Sequence, residues 1–454
     1  MAQGRVPNWV WAALLGVHVL ALAWALHEGT WEFPDSGRYM QAAGNLRVHG
    51  ELYTRPWPVM PPHGQAAQEF TIRPIGYPLM VLGVGVGSWP VALLVVQNLL
   101  SLLNIGLVLS FWARWAHPKT STWGWGLLAA LFFPAQFIYA NAVMSEMLLQ
   151  TVVLGAVGAG LLFISTGKSH YFASVAGALA LACLVKPVFY PLAVGAAAGG
   201  GWVAWWRKRP VLGLWAVVPL VVVVAYMGWN KQRTGYFHFS SIAEINMLHY
   251  NAAGVVRQIE GPVAEEHWVA TVLRAADAQP DFSARQELIQ TRAWAMLWAH
   301  PVVYACQHLL GMAALFFDPG RFDVSQFLGL AGRAEDGLLA QARAGGLVRA
   351  VGRLPLGLLG LLGGVLVANA TRVVLAVRGF GKLRYGGPWL RRGRWIVAGL
   401  LLYVALLTGP LGAARFLVPV WPLLLGLALA GLKSGHATNA PGADEPSPVS
   451  EGQC

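Results

Sequence analysis

Five ionisable residues, Asp35, Arg73, Glu146, Lys186 and Arg415, stand at the borders of long apolar stretches in this 454-residue chain. Charges in or beside membrane-length apolar runs are costly enough to count as functional candidates by default. Two acids and three cations converging on one membrane surface match a definite chemistry. Arginine and lysine can clamp a phosphate and stabilise the charge left when its bond breaks. A carboxylate opposite them can take the proton from an attacking hydroxyl or amine. Sugar transfer from a polyprenyl phosphate requires these parts.

Each residue also has a plainer role open to it. Asp35 can cap an interfacial helix, since Tyr39, Ala43 and Leu46 follow at helical spacing and an aspartate there accepts backbone N–H groups. Arg73 can snorkel to lipid headgroups before a helix begins. Glu146 opens a helix, where the macrodipole favours an acid. Lys186, before Pro187, can snorkel, and Arg415 can anchor an interface.

The elements that would position these residues are membrane helices. The chain is 56% hydrophobic and 11% charged, with 21 Trp, the composition of a polytopic all-α membrane protein. Apolar windows fall near 9–27, 79–112 (one span with a Gly-rich approach), 123–141, 147–164, 171–186, 188–206, 211–229, 355–377, 395–411 and 416–432, giving about ten crossings. The first is read as an uncleaved helix, because no small-residue cleavage site follows it. Basic residues crowd the short connections, as in Arg207-Lys208-Arg209 and Arg391-Arg392. The positive-inside rule therefore puts both termini in the cytoplasm and 28–78 and 230–354 outside. Fifteen Lys and Arg, Arg372 and Lys433 among them, then fall on the cytoplasmic side with three acids, Asp444, Glu445 and Glu451. The net charge of +12 reflects topology and anionic lipid rather than nucleic acid.

The organisation expected is an N-terminal transmembrane catalytic module, 1–229, whose outer loop 28–78 carries the site. An outer loop follows at 230–354, then C-terminal transmembrane helices at 355–433 and a disordered cytoplasmic tail at 434–454. The apolar run Pro301 to Phe317 is laid along the outer interface. The segment 325–350, with Arg333, Glu335, Asp336 and Arg343, is too polar to cross back. Cys183, Cys306 and Cys454 are scattered and suggest neither a disulfide framework nor zinc. No internal repeat is evident, which lowers the prior for transporters built from two related halves.

Pro34-Asp35-Ser36-Gly37-Arg38-Tyr39, then Ala42-Ala43-Gly44-Asn45-Leu46 and Gly50, resemble the first-loop signature of polyprenyl-phosphate-dependent GT-C glycosyltransferases. That superfamily includes protein O-mannosyltransferases and lipid A aminoarabinose transferases. Arg73-Pro74-Ile75-Gly76-Tyr77-Pro78, Asn141-Ala142-Val143-Met144-Ser145-Glu146 and Arg415-Phe416-Leu417-Val418-Pro419-Val420-Trp421-Pro422 agree in order and side. The resemblance implies a GT-C-type bundle in the bacterial inner membrane, with its active site facing outward. Asp35 would be the catalytic acid of the first loop and Glu146 the second acid. Arg73, Lys186 and Arg415 would bind the donor phosphate, and Tyr39 and Tyr77, inside the motifs, would contact acceptor or sugar. Ser36 stands where mannosyltransferase relatives often carry a second acid, which argues against protein mannosylation. No cofactor is required on this reading, although two acids could hold one divalent ion. The partners expected are a polyprenyl-phosphate sugar donor, a lipid, glycan or protein acceptor and the bilayer, with no nucleic acid. The competing readings are a lipid or glycolipid flippase and a non-enzymatic membrane scaffold.

Overall fold

The computed structural model describes residues 4–58, 64–85, 90–330 and 355–432, and those residues form helices and loops with no strand among them. Among the described residues, eight helices are long and apolar enough to cross a membrane, or up to ten if each of two bent pairs makes one crossing. The N-terminal half runs α1 (Asn8–Glu28), α2 (Ser36–His49), α3 (Gly76–Val84), α4 (Val91–Ala116), α5 (Thr120–Leu131), α6 (Pro134–Ala140), α7 (Glu146–Thr166), α8 (Ser169–Val185), α9 (Pro191–Trp206) and α10 (Pro210–Thr234). The rest comprises α11 (Ile242–Asn246), α12 (Ala253–Glu260), α13 (Pro262–Asp277), α14 (Phe282–Ala299), α15 (Pro301–Phe317) and α16 (Arg321–Phe327). It closes with α17 (Leu356–Lys382), α18 (Pro388–Thr408), α19 (Ala414–Leu417) and α20 (Trp421–Leu432). Lys433, the tail 434–454 and the polar stretch 331–350, with Arg333, Glu335, Asp336 and Arg343, lie outside the described residues.

The apolar window 79–112 resolves into α3 and α4, and the window 123–141 is a broken helix, α5 and α6 meeting at 58°. Pro134 at the first position of α6 cannot continue the hydrogen-bond ladder of α5, so carbonyls come free inside an apolar bundle. Arg372 closes them: its guanidinium donates to Ala129 O (3.1 Å) and Phe132 O (3.0 Å) and to Asn369 Oδ1 at 2.6 Å. Arg372 is only 2% exposed. Its assignment to the cytoplasmic basic set is therefore corrected: it is an internal cation that re-satisfies broken backbone.

A buried polar seam ties the same helices together. His18 meets Ser101 at 2.9 Å, and Gln136 donates to Ser101 and to Gln150 Oε1. Gln150 in turn donates to Val418 O. Fully satisfied networks in a low dielectric fix one register among otherwise interchangeable apolar faces. Elsewhere contact is steric. A Cβ at Gly379 would strike Leu427 O, and one at Gly431 would strike Leu375 O, so small residues let α17 and α20 approach backbone to backbone.

The segments around Thr71 and Ser241 fold onto one another. His238 Nε2 lies 2.8 Å from Thr71 Oγ1, Ser241 donates to Gln68 O, and Arg285 donates to Gln68 Oε1. Met247–Ala252 is a π-helix, and Gln307 donates to the carbonyls of Tyr250 and Asn251 within it. The run 301–317 does not extend α14 but turns from it by 99° at Pro301. Its Gly311 then seats against the backbone of Gly409, Pro410 and Gly412.

Candidate active site

Asp35 and Glu146 come together because two loops are stitched. Ser36 Oγ accepts from Phe33 N at 2.9 Å and donates to Val143 O at 3.1 Å, and Val143 N donates to Trp31 O at 3.1 Å. The chain leaves α1 through Gly29 in the left-handed region (φ 68°), a turn glycine makes without a Cβ penalty. Asp35 occupies the N-cap position of α2, yet its side chain makes no capping bond. Its carboxylate instead pairs with Arg73 through Oδ1 and with Arg415 Nη2 through Oδ2 at 2.9 Å.

Glu146, the first residue of α7, is fully buried. Its Oε1 accepts from Lys186 Nζ and from Arg415 Nε, both at 2.7 Å, while Oε2 is buried without a hydrogen-bond partner. Arg415 thus bridges the two acids, using Nε for one and Nη2 for the other. Arg73 Nε is likewise buried and unpartnered. Two acids and three cations leave one positive charge in excess, in a cluster whose side chains are between 0 and 21% exposed. Uncompensated buried charge is expensive, so the cluster favours an incoming anion.

Burial by itself would raise the Asp35 carboxyl. The guanidinium groups of Arg73 and Arg415 outweigh that and hold it well below the usual carboxylate range. Tyr39 packs edge to face on Tyr77 with ring centroids 4.7 Å apart, beneath the Arg73 guanidinium. Tyr39 reaches Ser145 Oγ at 3.4 Å, and Tyr77 donates to Gln97 at 2.6 Å. Tyr77 is fully buried with its hydroxyl committed, a supporting place in the wall. Trp57 stacks on His49 with ring centroids 4.4 Å apart.

Sequence reasoning missed two acids behind Arg415. Asp318 Oδ2 accepts from Ala414 N at 2.7 Å, fixing the start of α19, and Asp323 accepts from Tyr139 at 2.7 Å. Burial raises the Asp323 carboxyl to about 7, against the Tyr139 hydrogen bond and with help from the Asp318 charge. The signal available was Asp318-Pro319-Gly320 closing an apolar run, a turn signature that says nothing of what the turn touches.

No protein-family model matches the chain, and no curated protein does. Two crystal structures of ArnT from Cupriavidus metallidurans are similar to it. The one in the apo state is 17% identical with a TM-score of 0.35, covering 94% of this chain and 77% of that one. The one bound to undecaprenyl phosphate is 19% identical with a TM-score of 0.37, covering 94% and 76%.

Proposed function

We propose that the protein is a membrane glycosyltransferase of GT-C type, moving a sugar from a polyprenyl-phosphate donor to a lipid, glycan or protein acceptor on the outer side of a bacterial inner membrane. The Arg415 bridge between Asp35 and Glu146 carries this reading. A donor phosphodiester bears one negative charge, which balances the single excess positive charge of the cluster. In the transfer step the acceptor hydroxyl or amine gives its proton to Asp35, its heteroatom forms the bond to the anomeric carbon, and the bond from that carbon to the phosphate oxygen breaks. The electron pair stays on the phosphate, now a dianionic monoester, and protonated Asp35 leaves the cluster two positive charges to meet it. Charge is balanced before and after.

Asp35 paired to two guanidinium groups is a weak base. A phosphate that draws Arg73 and Arg415 to itself frees the carboxylate and raises its basicity when the donor is seated, which couples proton abstraction to donor binding. A single displacement of this kind inverts the anomeric centre. Arg73, Lys186 and Arg415 carry the leaving-group charge, so this reading assigns no role to a cofactor or metal, and transfer is expected to survive a chelator. Tyr39, whose ring lies under the Arg73 guanidinium, is placed beside the sugar or acceptor on this reading. Against a flippase, the internal cation Arg372 is consumed by backbone, and the unpaired polar atoms of the cluster sit at helix ends.

The test is transfer of radiolabelled sugar from polyprenyl-phosphate donors to a membrane extract by purified protein. Wild type is expected to label an acceptor and Asp35→Asn to lose about 10²- to 10⁴-fold while still folding, with cooperative unfolding at a lowered temperature. Equal lipid binding by both proteins with no transfer by either would sink the reading.

A further inference from the structure

At the other end of α7 from Glu146, a groove of about 490 Å³ opens between α4, α7, α18 and α20. Leu161, in its wall, lies fifteen residues beyond Glu146, about 22 Å along the helix axis, so the groove is separate from the charge cluster. Its walls are apolar over most of their area. At one end they carry Arg114, in the last turn of α4, and Arg394, and no acid among the described residues lines it. That end adjoins the turn between α17 and α18, where Lys382, Arg384, Arg391 and Arg392 gather, the side assigned to the cytoplasm by the positive-inside rule.

Two hydrogen-bond donors in this wall lack partners. Arg394 donates through Nη1 to Phe380 O at 3.0 Å and stacks on Phe380 and Trp395, but its Nε is buried without an acceptor. The indole N–H of Trp112 is buried and unpartnered as well. Buried polar groups are nearly always satisfied, and both of these donors belong to residues that line the groove, so oxygen acceptors suit this wall better than hydrocarbon alone. Alongside it, Gly158 leaves the wall hollow: a Cβ there meets nothing within 4 Å. An apolar slot with two cations at its cytoplasmic mouth suits a chain with an anionic oxygen-rich head.

We infer that this groove binds an anionic phospholipid of the cytoplasmic leaflet, its acyl chain lying along α7 and its phosphate between Arg114 and Arg394. The polyprenyl donor is a poorer occupant, since its phosphate belongs at the opposite end of α7 and its hydrocarbon tail offers the arginines and the two donors nothing. The site stands whether or not the chain transfers sugars.

Native mass spectrometry of the purified full chain in detergent, titrated with phosphatidylglycerol, phosphatidylcholine of the same acyl chains, and a polyprenyl monophosphate, tests it. Wild type is expected to prefer phosphatidylglycerol over phosphatidylcholine by on the order of tenfold. Arg114→Gln/Arg394→Gln is expected to lose that preference while still folding. Gly158→Leu, which adds a side chain to the groove wall at a position where a Cβ meets no neighbour, is expected to weaken phosphatidylglycerol binding by about tenfold or more, with its lipid-free unfolding temperature unchanged. Equal affinity of wild type for both phospholipids, or unchanged phosphatidylglycerol binding by Gly158→Leu, overturns the proposal. So does a Gly158→Leu defect confined to polyprenyl monophosphate, which would assign the groove to the donor tail.

Discussion

Arg415 does what no other residue of the cluster can, because its planar fork reaches Asp35 with one nitrogen and Glu146 with another. Lysine is a single point charge. Arg415→Lys is therefore expected to lower sugar transfer by about 10²-fold or more and to cost about 1.5–3 kcal/mol of stability, read as a drop in unfolding temperature in detergent. Two aspartates near this residue give opposite pH dependences. The Asp35 carboxyl lies below its unfolded value of about 3.9. Its contribution is full above that value and is lost as pH falls through the folded one. The Asp323 carboxyl is raised to about 7. Its contribution is full below about 3.9 and lost as pH rises through 7. Asp323→Asn should thus gain on wild type in unfolding temperature between pH 5 and pH 8, whereas Asp35→Asn should differ most from wild type above pH 4 and converge with it in stronger acid. A flat difference across pH 5–8 would contradict the Asp323 assignment.

At the scale of elements, the cluster depends on how α15 meets the turn before α19. Gly311 packs on this turn with so little clearance that a Cβ on it would enter the backbone of Gly409 and Pro410, and one on Gly412 would enter the backbone of Gly311. Asp318, just past α15, then holds the N–H of Ala414. Gly311→Val should push the turn away and carry Arg415 with it, destabilising by about 1–3 kcal/mol and lowering transfer more than lipid binding. Wild-type turnover in Gly311→Val would mean that Arg415 is positioned without this contact. The break between α5 and α6 was only half legible: Pro134 announces a break, but the cation that closes it is 238 residues away in sequence. Read as text, Arg372 is a basic residue near the end of an apolar window, and nothing local separates that from a loop residue. The cap proposed for Asp35 failed for a related reason. An N-cap position is a backbone fact, while the side chain's partner is settled by two guanidinium groups from other elements.

For the whole molecule, the charge asymmetry of the loops makes an orientation that can be checked. Single cysteines replacing Glu51 and Lys208, in a background whose native cysteines are removed, should differ in reaction with an impermeant maleimide on intact cells. The first should label from outside and the second only after permeabilisation; the reverse would invert the topology. The all-helical build and the approximate position of the membrane helices follow from the sequence alone, because apolar length is a local property and a bilayer demands internally satisfied helices. The five charged residues were legible for a similar reason, since each is conspicuous at the border of an apolar run. That they pair through one shared arginine, with one oxygen of Glu146 and one nitrogen of Arg73 left open, was decided only in three dimensions. So were the internal role of Arg372, the support from Asp318 and Asp323, and the groove beside Arg114 and Arg394. Each of these joins residues tens to hundreds of positions apart, and the energies that join them, short-range hydrogen bonds and close packing, depend on distance in space and leave no mark on spacing in the chain.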